Sequence, residues 1–178
     1  MITESEIKEI RTLLEESQNP LFMFDNDPDG LCSYLLLKRF IKRGRYTMIT
    51  GNLDENYLKI VDYLRPDKIF ILDKSPIHQS FLDGLHVPVV WIDHHPTEEV
   101  EYKDIKIFNP RKHDKDKDGL PTSYWCYKVV QQDLWIAMIG CVSDWTVPDF
   151  KDEFLKEYPD LFDKTITGFL FNFGLNAR

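Results

Sequence analysis

The chain predicts an α/β protein, a three-layer α/β/α arrangement around a mostly parallel sheet with a helical C-terminal part. Three observations carry this expectation. Short apolar runs alternate with helix-patterned segments as far as residue 92, and such alternation implies βαβ crossovers that cover a parallel sheet on both faces. Four apolar segments each run into acid at one end: Leu21 to Phe24 into Asp25, Lys68 to Leu72 into Asp73, Val87 to Ile92 into Asp93, and Trp135 to Val142 into Asp144. A length of 178 residues with 43% hydrophobic residues suits a single domain spanning 1–178.

The elements follow in order. Thr3 and Glu6 form a capping box that opens a helix to about Ser17, with Ile7, Ile10, Leu13 and Leu14 on one face. Asn19 and Pro20 end it, and the strand 21–24 follows. Leu31 to Arg43 reads as a buried helix closed by Gly44, and Tyr46 to Thr50 as a strand. A helix starts at Asp54 or Glu55 and runs to Leu64 before the break at Pro66; 68–72 is a strand, 77–83 a short helix and 88–92 a strand. From Thr122 onward the pattern is mostly helical.

Composition excludes several classes. No run approaches the ~18 apolar residues of a membrane span, and the acidic N-terminus lacks the basic and apolar regions of a secretory leader, so a cytoplasmic location is expected. Cys32, Cys126 and Cys141 show no Cys-x-x-Cys spacing and sit within apolar patterns, which fits reduced core residues. A net charge of −8 argues against a general polyanion-binding surface, because nonspecific affinity comes from Lys and Arg neutralising phosphates.

The strand ends carry the chemistry. Residues i, i+2 and i+4 of an extended chain share a face, so Asp25, Asp27 and Asp29 can converge as the first strand opens into its loop. Two unit charges ~4 Å apart repel by about 4 kcal/mol at an effective dielectric of 20, so gathering such acids calls for protons or divalent cations. His94 offers nitrogen beside the oxygens, a mixture that suits Mn²⁺ and, to a lesser degree, Fe²⁺, Co²⁺ or Zn²⁺, whereas Mg²⁺ prefers oxygen alone.

These residues resemble a known family. Asp25-x-Asp27-x-Asp29-Gly30, the lone strand-end Asp73, Asp93-His94-His95 and the later helix-borne Asp144 are similar, in order, to the four motifs of the DHH phosphoesterases, from about residue 20 to 147. That superfamily includes RecJ-type single-strand exonucleases, nanoRNases, exopolyphosphatases and family II inorganic pyrophosphatases. The resemblance implies an Mn²⁺-dependent phosphoesterase or exonuclease acting on single-stranded oligonucleotides through two ions, with Mg²⁺ or Co²⁺ as alternatives, that activate a water between them. By position it implies Asp27 on the first ion, Asp29 on the second, Asp73 bridging, His94 and Asp144 completing the second, Asp93 orienting the His pair, and His95 facing phosphate. Ser33 matches the family's small hydroxyl in the following helix. Where several branches place a His, four residues before the first metal Asp, this chain has Met23; the RecJ-type branch carries an acid two residues before it, where Asp25 stands as a further candidate ligand. Arg111 with Thr122 or Ser123 resembles the family's phosphate-facing loop into a helix, and helix N-termini favour anions. The usual C-terminal DHH-associated domain is expected to be absent, leaving a partner subunit or domain to supply the second wall of the cleft.

Other readings bear on the same residues. Asp-x-Asp-x-Asp-Gly, at 25–30 and 114–119, imitates an EF-hand loop, but Leu36 and Trp125 stand where a bidentate Glu is required. Asp114, Asp116 and Asp118 alternate with Lys115 and Lys117 as in a solvated loop, and His78, His86 and His113 read as structural or solvent-facing. The basic run from Lys38 to Arg45 lies ~20 Å from the acids along its helix, where complementing the macrodipole explains it. Trp145 flanks the expected cleft beside Asp144. The competing functions are a small-phosphate hydrolase of the pyrophosphatase or polyphosphatase kind, and a non-catalytic scaffold in a replication or repair complex.

Overall fold

A computed structural model describes residues 1–96, 99–112 and 119–159. Its centre is a five-stranded sheet, β1 (Pro20–Asp25), β2 (Arg45–Ile49), β3 (Lys68–Leu72), β4 (Val89–Ile92) and β5 (Ile105–Phe108), in the order β2-β1-β3-β4-β5. All four pairings are parallel. The order reverses between β1 and β3, and the crevice at such a reversal, beyond the strands' carboxyl ends, is where open α/β sheets bind ligands.

Two cores cover the sheet, as the strands' alternation dictates. Phe22, Phe24, Phe70, Leu72, Val90 and Ile92 face α1 (Glu4–Glu16), α2 (Pro28–Ile41), α5 (Thr122–Val130), α6 (Leu134–Ser143) and α7 (Lys151–Glu157). Leu21, Met23, Ile69, Ile71, Val89 and Trp91 face α3 (Leu58–Leu64) and α4 (Gln79–Asp83). Strands buried on both faces read as continuous apolar runs, which is why β1, β3 and β4 are legible in the sequence. No helix among the described residues is long and apolar enough to cross a membrane, and all three cysteines are free and buried.

Most elements agree with the sequence to within a few residues. Thr3 and Glu6 form the expected capping box, and Asp54 caps a 3-10 turn, Glu55–Tyr57, that leads into α3. Three differences have physical causes. Helix α2 starts three residues earlier than expected, because Asp27 accepts from the Gly30 amide as N-cap and Pro28 takes the first position, where its missing N–H costs nothing. Its C-cap is Lys42 in the left-handed region rather than Gly44. Strand β5 was not expected at all, since Ile105-Lys106-Ile107-Phe108 is only four residues long and carries a charge in its middle; as an edge strand it keeps Lys106 in solvent. The His113, Asp114, Asp116 and Asp118 readings fall outside the described residues.

Candidate metal centre

The acids reach one place by four different backbone routes. Asp27 ends the loop after β1, and Asp29 sits in the first turn of α2. This corrects the expectation of an extended 25–27–29 face: Asp29 is helical, and the helix start carries it inward. Gly30 permits that start, since a Cβ there would lie 2.6 Å from the Asp25 carbonyl oxygen. Asp73 follows β3 with φ +55°, a strained region for a residue with a side chain, and its amide donates to the Ile92 carbonyl. Asp93 and His94 follow β4, and Asp144 is the C-cap of α6.

His94 is the meeting point. Its Nε2 lies 3.3 Å from Asp73 Oδ1, 3.6 Å from Asp144 Oδ2 and 4.0 Å from Asp29 Oδ2. Two groups of ligand atoms lie within 4.8 Å of one another: Asp29, His94 and Asp144, and Asp73, His94 and His95. Asp93, buried, is tied to His95, accepting from its backbone amide at 3.2 Å and pairing with its Nδ1 at 2.8 Å. His94 is steadied separately, by the Gly119 carbonyl 3.4 Å from its Nδ1. Asp93 thus orients one imidazole of the expected pair.

The N-terminus of α5 holds the carboxylates. The amides of Thr122 and Ser123 donate to the two oxygens of Asp29 at 2.8 and 3.0 Å, and the Thr122 hydroxyl donates to Asp73 at 3.1 Å. Both residues are fully buried, so the expectation that their hydroxyls meet phosphate is corrected. They hold the acids instead, and the anion at this helix N-terminus is a side chain of the protein itself. Ser33 is fully buried as well and does not face a cleft. Gly140 keeps this junction tight, because a Cβ there would lie 2.4 Å from Ser123 Oγ.

Asp25, Asp27 and Arg111 lie differently. Asp25 pairs with the buried Lys74 at 2.9 Å and belongs to neither ligand group. Asp27 spends one oxygen on the Gly30 amide and also stands outside both groups, although its charge acts on Asp73. Arg111 donates through Nε to the His94 carbonyl at 2.8 Å, which fixes the turn after β4. The sequence reading missed Lys74; a lysine directly after a strand-end acid in a cluster of carboxylates is the signal that could have found it.

Electrostatics follow from this packing. Burial pushes Asp29 up to about 6, opposed by the His94 charge and the Ser123 hydrogen bonds. Asp73 is pushed well above the ordinary carboxylate value, first by burial and then by the charges of Asp29, Asp27 and Asp93. His95 is raised by its hydrogen bond to Asp93. Among the described residues no Lys or Arg pairs with Asp29, Asp73 or Asp93. Buried, mutually repelling carboxylates with one imidazole among them form a donor set that fits a divalent cation of the Mn²⁺ type.

Comparison with known proteins places the arrangement. The profile of the DHH family, N-terminal domain, matches residues 21–152, while a search of curated proteins found no match. The fold is similar to that of exonuclease RecJ bound to manganese (TM-score 0.63, 15% identity, 88% of this chain and 47% of that one). It is similar also to RecJ in complex with Mn²⁺ from Thermus thermophilus (0.59, 17%, 79% and 24%) and to CDC45 from Entamoeba histolytica (0.60, 14%, 87% and 38%). The chain thus spans about half or less of the length of each of these structures. The matched stretch runs across most of this chain and contains every acid and imidazole that meets at the sheet's rim, so the protein belongs to the DHH family.

Proposed function

We propose that this chain is a divalent-metal-dependent phosphoesterase domain that hydrolyses phosphodiester bonds of single-stranded oligonucleotides. The observation that carries the reading is the approach of Asp29, Asp73 and Asp144 to one nitrogen of His94. These four residues would hold the metal, Mn²⁺ by the mixture of nitrogen and oxygen and Mg²⁺ or Co²⁺ as substitutes, in a two-ion site that Asp27 completes. Bound ions would polarise the phosphoryl oxygens and lower the pKa of a water for in-line attack.

The chain's own residues do the rest. The α5 amides and Thr122 fix the carboxylates before any ion arrives, so little reorganisation opposes binding. With Nδ1 engaged by Asp93, whose hydrogen bond raises its pKa, His95 would have its other ring nitrogen left to meet a substrate phosphate oxygen. The fold likeness to two manganese-bound RecJ structures supports the nuclease reading over the pyrophosphatase one, as do Asp25 and Met23. A second subunit or domain would supply the opposite wall of the cleft, and the free buried thiols suit a reducing cytoplasm.

The test is a Mn²⁺-loaded panel of pyrophosphate, dinucleotides and longer single strands. The reading expects faster cleavage of the oligonucleotides and loss of cleavage in Asp73→Ala. Faster cleavage of pyrophosphate would transfer the site to small phosphates. Metal binding with no hydrolysis of any phosphoester would favour a scaffold, the reading to which the CDC45 fold likeness points.

A further inference from the structure

Lys74 is a buried cation that the proposed chemistry does not use. It is 7% exposed, and its ammonium stands 2.9 Å from Asp25 Oδ1, the one partner that this group has among the described residues. The backbone on either side fixes its direction. Asp73, just before it, has φ +55° and donates its amide to the Ile92 carbonyl. The Lys74 carbonyl in turn accepts from the buried Trp91 indole at 3.0 Å. Both anchors belong to β4, so the turn after β3 is pinned on that side and the lysine reaches the other way, to the end of β1.

Asp25 stands at the centre without joining it. Phe24 pairs with Leu72 of β3, so the next residues of the two chains, Asp25 and Asp73, leave the sheet side by side. His95, raised chiefly by its hydrogen bond to Asp93, is raised also by the Asp25 charge. Yet neither group of converging ligand atoms includes Asp25. The cation that meets this carboxylate is the ammonium, and a buried ammonium with no carboxylate beside it would be costly. The charges at the rim then divide. Asp25 with Lys74 and Asp93 with His95 form two pairs. Asp27, Asp29, Asp73 and Asp144 remain, and their combined charge equals that of two divalent ions.

We infer that Lys74 is a positioning residue that withholds Asp25 from the metal, so that Asp25 is the counter-ion of the lysine and not a ligand. The inference rests on the metal centre of the phosphodiesterase reading and adds to it what limits the number of carboxylates on the ions. A further carboxylate would lower the positive charge left to act on phosphate and would fill a coordination position that substrate or water needs. Lys74 therefore weakens metal binding and keeps the site open.

The test is calorimetric titration of Mn²⁺ into the chelator-stripped full chain, unsubstituted, as Lys74→Met, and as the double variant Asp25→Asn/Lys74→Met. Lys74→Met frees the carboxylate and is expected to tighten at least one ion by roughly 10-fold, the low end of what a group behind the ligands changes in metal affinity. The double variant replaces an ion pair by neutral side chains of similar size, a change that buried pairs tolerate. It is expected to bind both ions with the affinity of the unsubstituted chain, and it decides the matter where the single variant fails to fold. A double variant that loses an ion or binds it more weakly would show that Asp25 is a ligand and overturn the inference. Unchanged or weaker binding in a folded Lys74→Met chain overturns it equally. The expected pattern in a chain that cleaves no phosphodiester would support the inference and sink the hydrolase reading alone, whereas absence of saturable binding by the unsubstituted chain would sink both.

Discussion

The two ends of helix α2 are built on opposite principles. At its C-terminal end Lys38 donates to the Gly44 carbonyl, Arg39 makes a two-pronged pair with Asp133, and Arg43 reaches two carbonyls at the end of α1. The helix dipole and local carbonyls answer most of the positive charge there, and the arrangement stabilises the fold. At its N-terminal end Asp29 is buried beside Asp73, with Asp144 close by, and no lysine or arginine among the described residues pairs with Asp29 or Asp73. One end is complete as folded. The other holds charge that only a ligand or protons relieve, and such local conflict concentrates at functional sites.

Breaking the N-terminal end should cost activity, not stability. Asp73→Ala is expected to lower kcat/KM by more than ~1,000-fold, as the loss of a major electrostatic element does. In the metal-free protein the same substitution is expected to leave the melting temperature unchanged or raised, because it removes a buried charge that has no cationic partner. A large loss of metal-free stability in thermal denaturation would show that Asp73 is structural after all.

Filling that end should stabilise it. Mn²⁺ at about a hundred times its dissociation constant adds ~2.7 kcal/mol, which for a domain of this size raises Tm by about 5–11 °C. Scanning calorimetry with and without EDTA checks this, and His94→Ala should abolish most of the shift.

The pH dependence has a definite sign. Asp29 sits at about 6 in the folded protein against an ordinary 3.8, and Asp73 is raised in the same direction. The folded state therefore holds more protons than the unfolded one between about 4 and 6, so metal-free stability falls as pH rises through that window. Metal competes with those protons, and Mn²⁺ affinity should rise over the same range. Urea melts at pH 4.5, 5.5 and 6.5 read the first effect and isothermal titration the second; a metal-free chain that gains stability across the window would contradict the assignment.

The C-terminal end supplies the small effect. Arg39→Gln removes an exposed pair with Asp133 and should change stability by about 0.2–1 kcal/mol, with kcat/KM unmoved. A large change in either would mean that the ends of α2 are coupled.

The sequence showed the acids but not what holds them. Strands β1, β3 and β4 and the acids at their ends were legible because apolar runs ending in Asp are local signals. Strand β5 was not, since four residues with a central Lys106 carry too little pattern. The helical geometry of Asp29 depends on Pro28 starting the helix, and its two amide donors lie 93 and 94 residues away at the head of α5. Long-range pairs of that kind leave no periodicity to read. The same holds for Lys74 and Asp25, which become neighbours only when β1 and β3 pair.

The central claim is that the acids at the sheet's rim and His94 form a divalent-metal site. Calorimetric titration of Mn²⁺ into the chelator-stripped chain at pH 7.5, repeated with His94→Ala, tests it most directly. The account predicts saturable binding of two ions per chain, with at least one lost in the variant; no saturable binding, or binding that His94→Ala leaves intact, would contradict it.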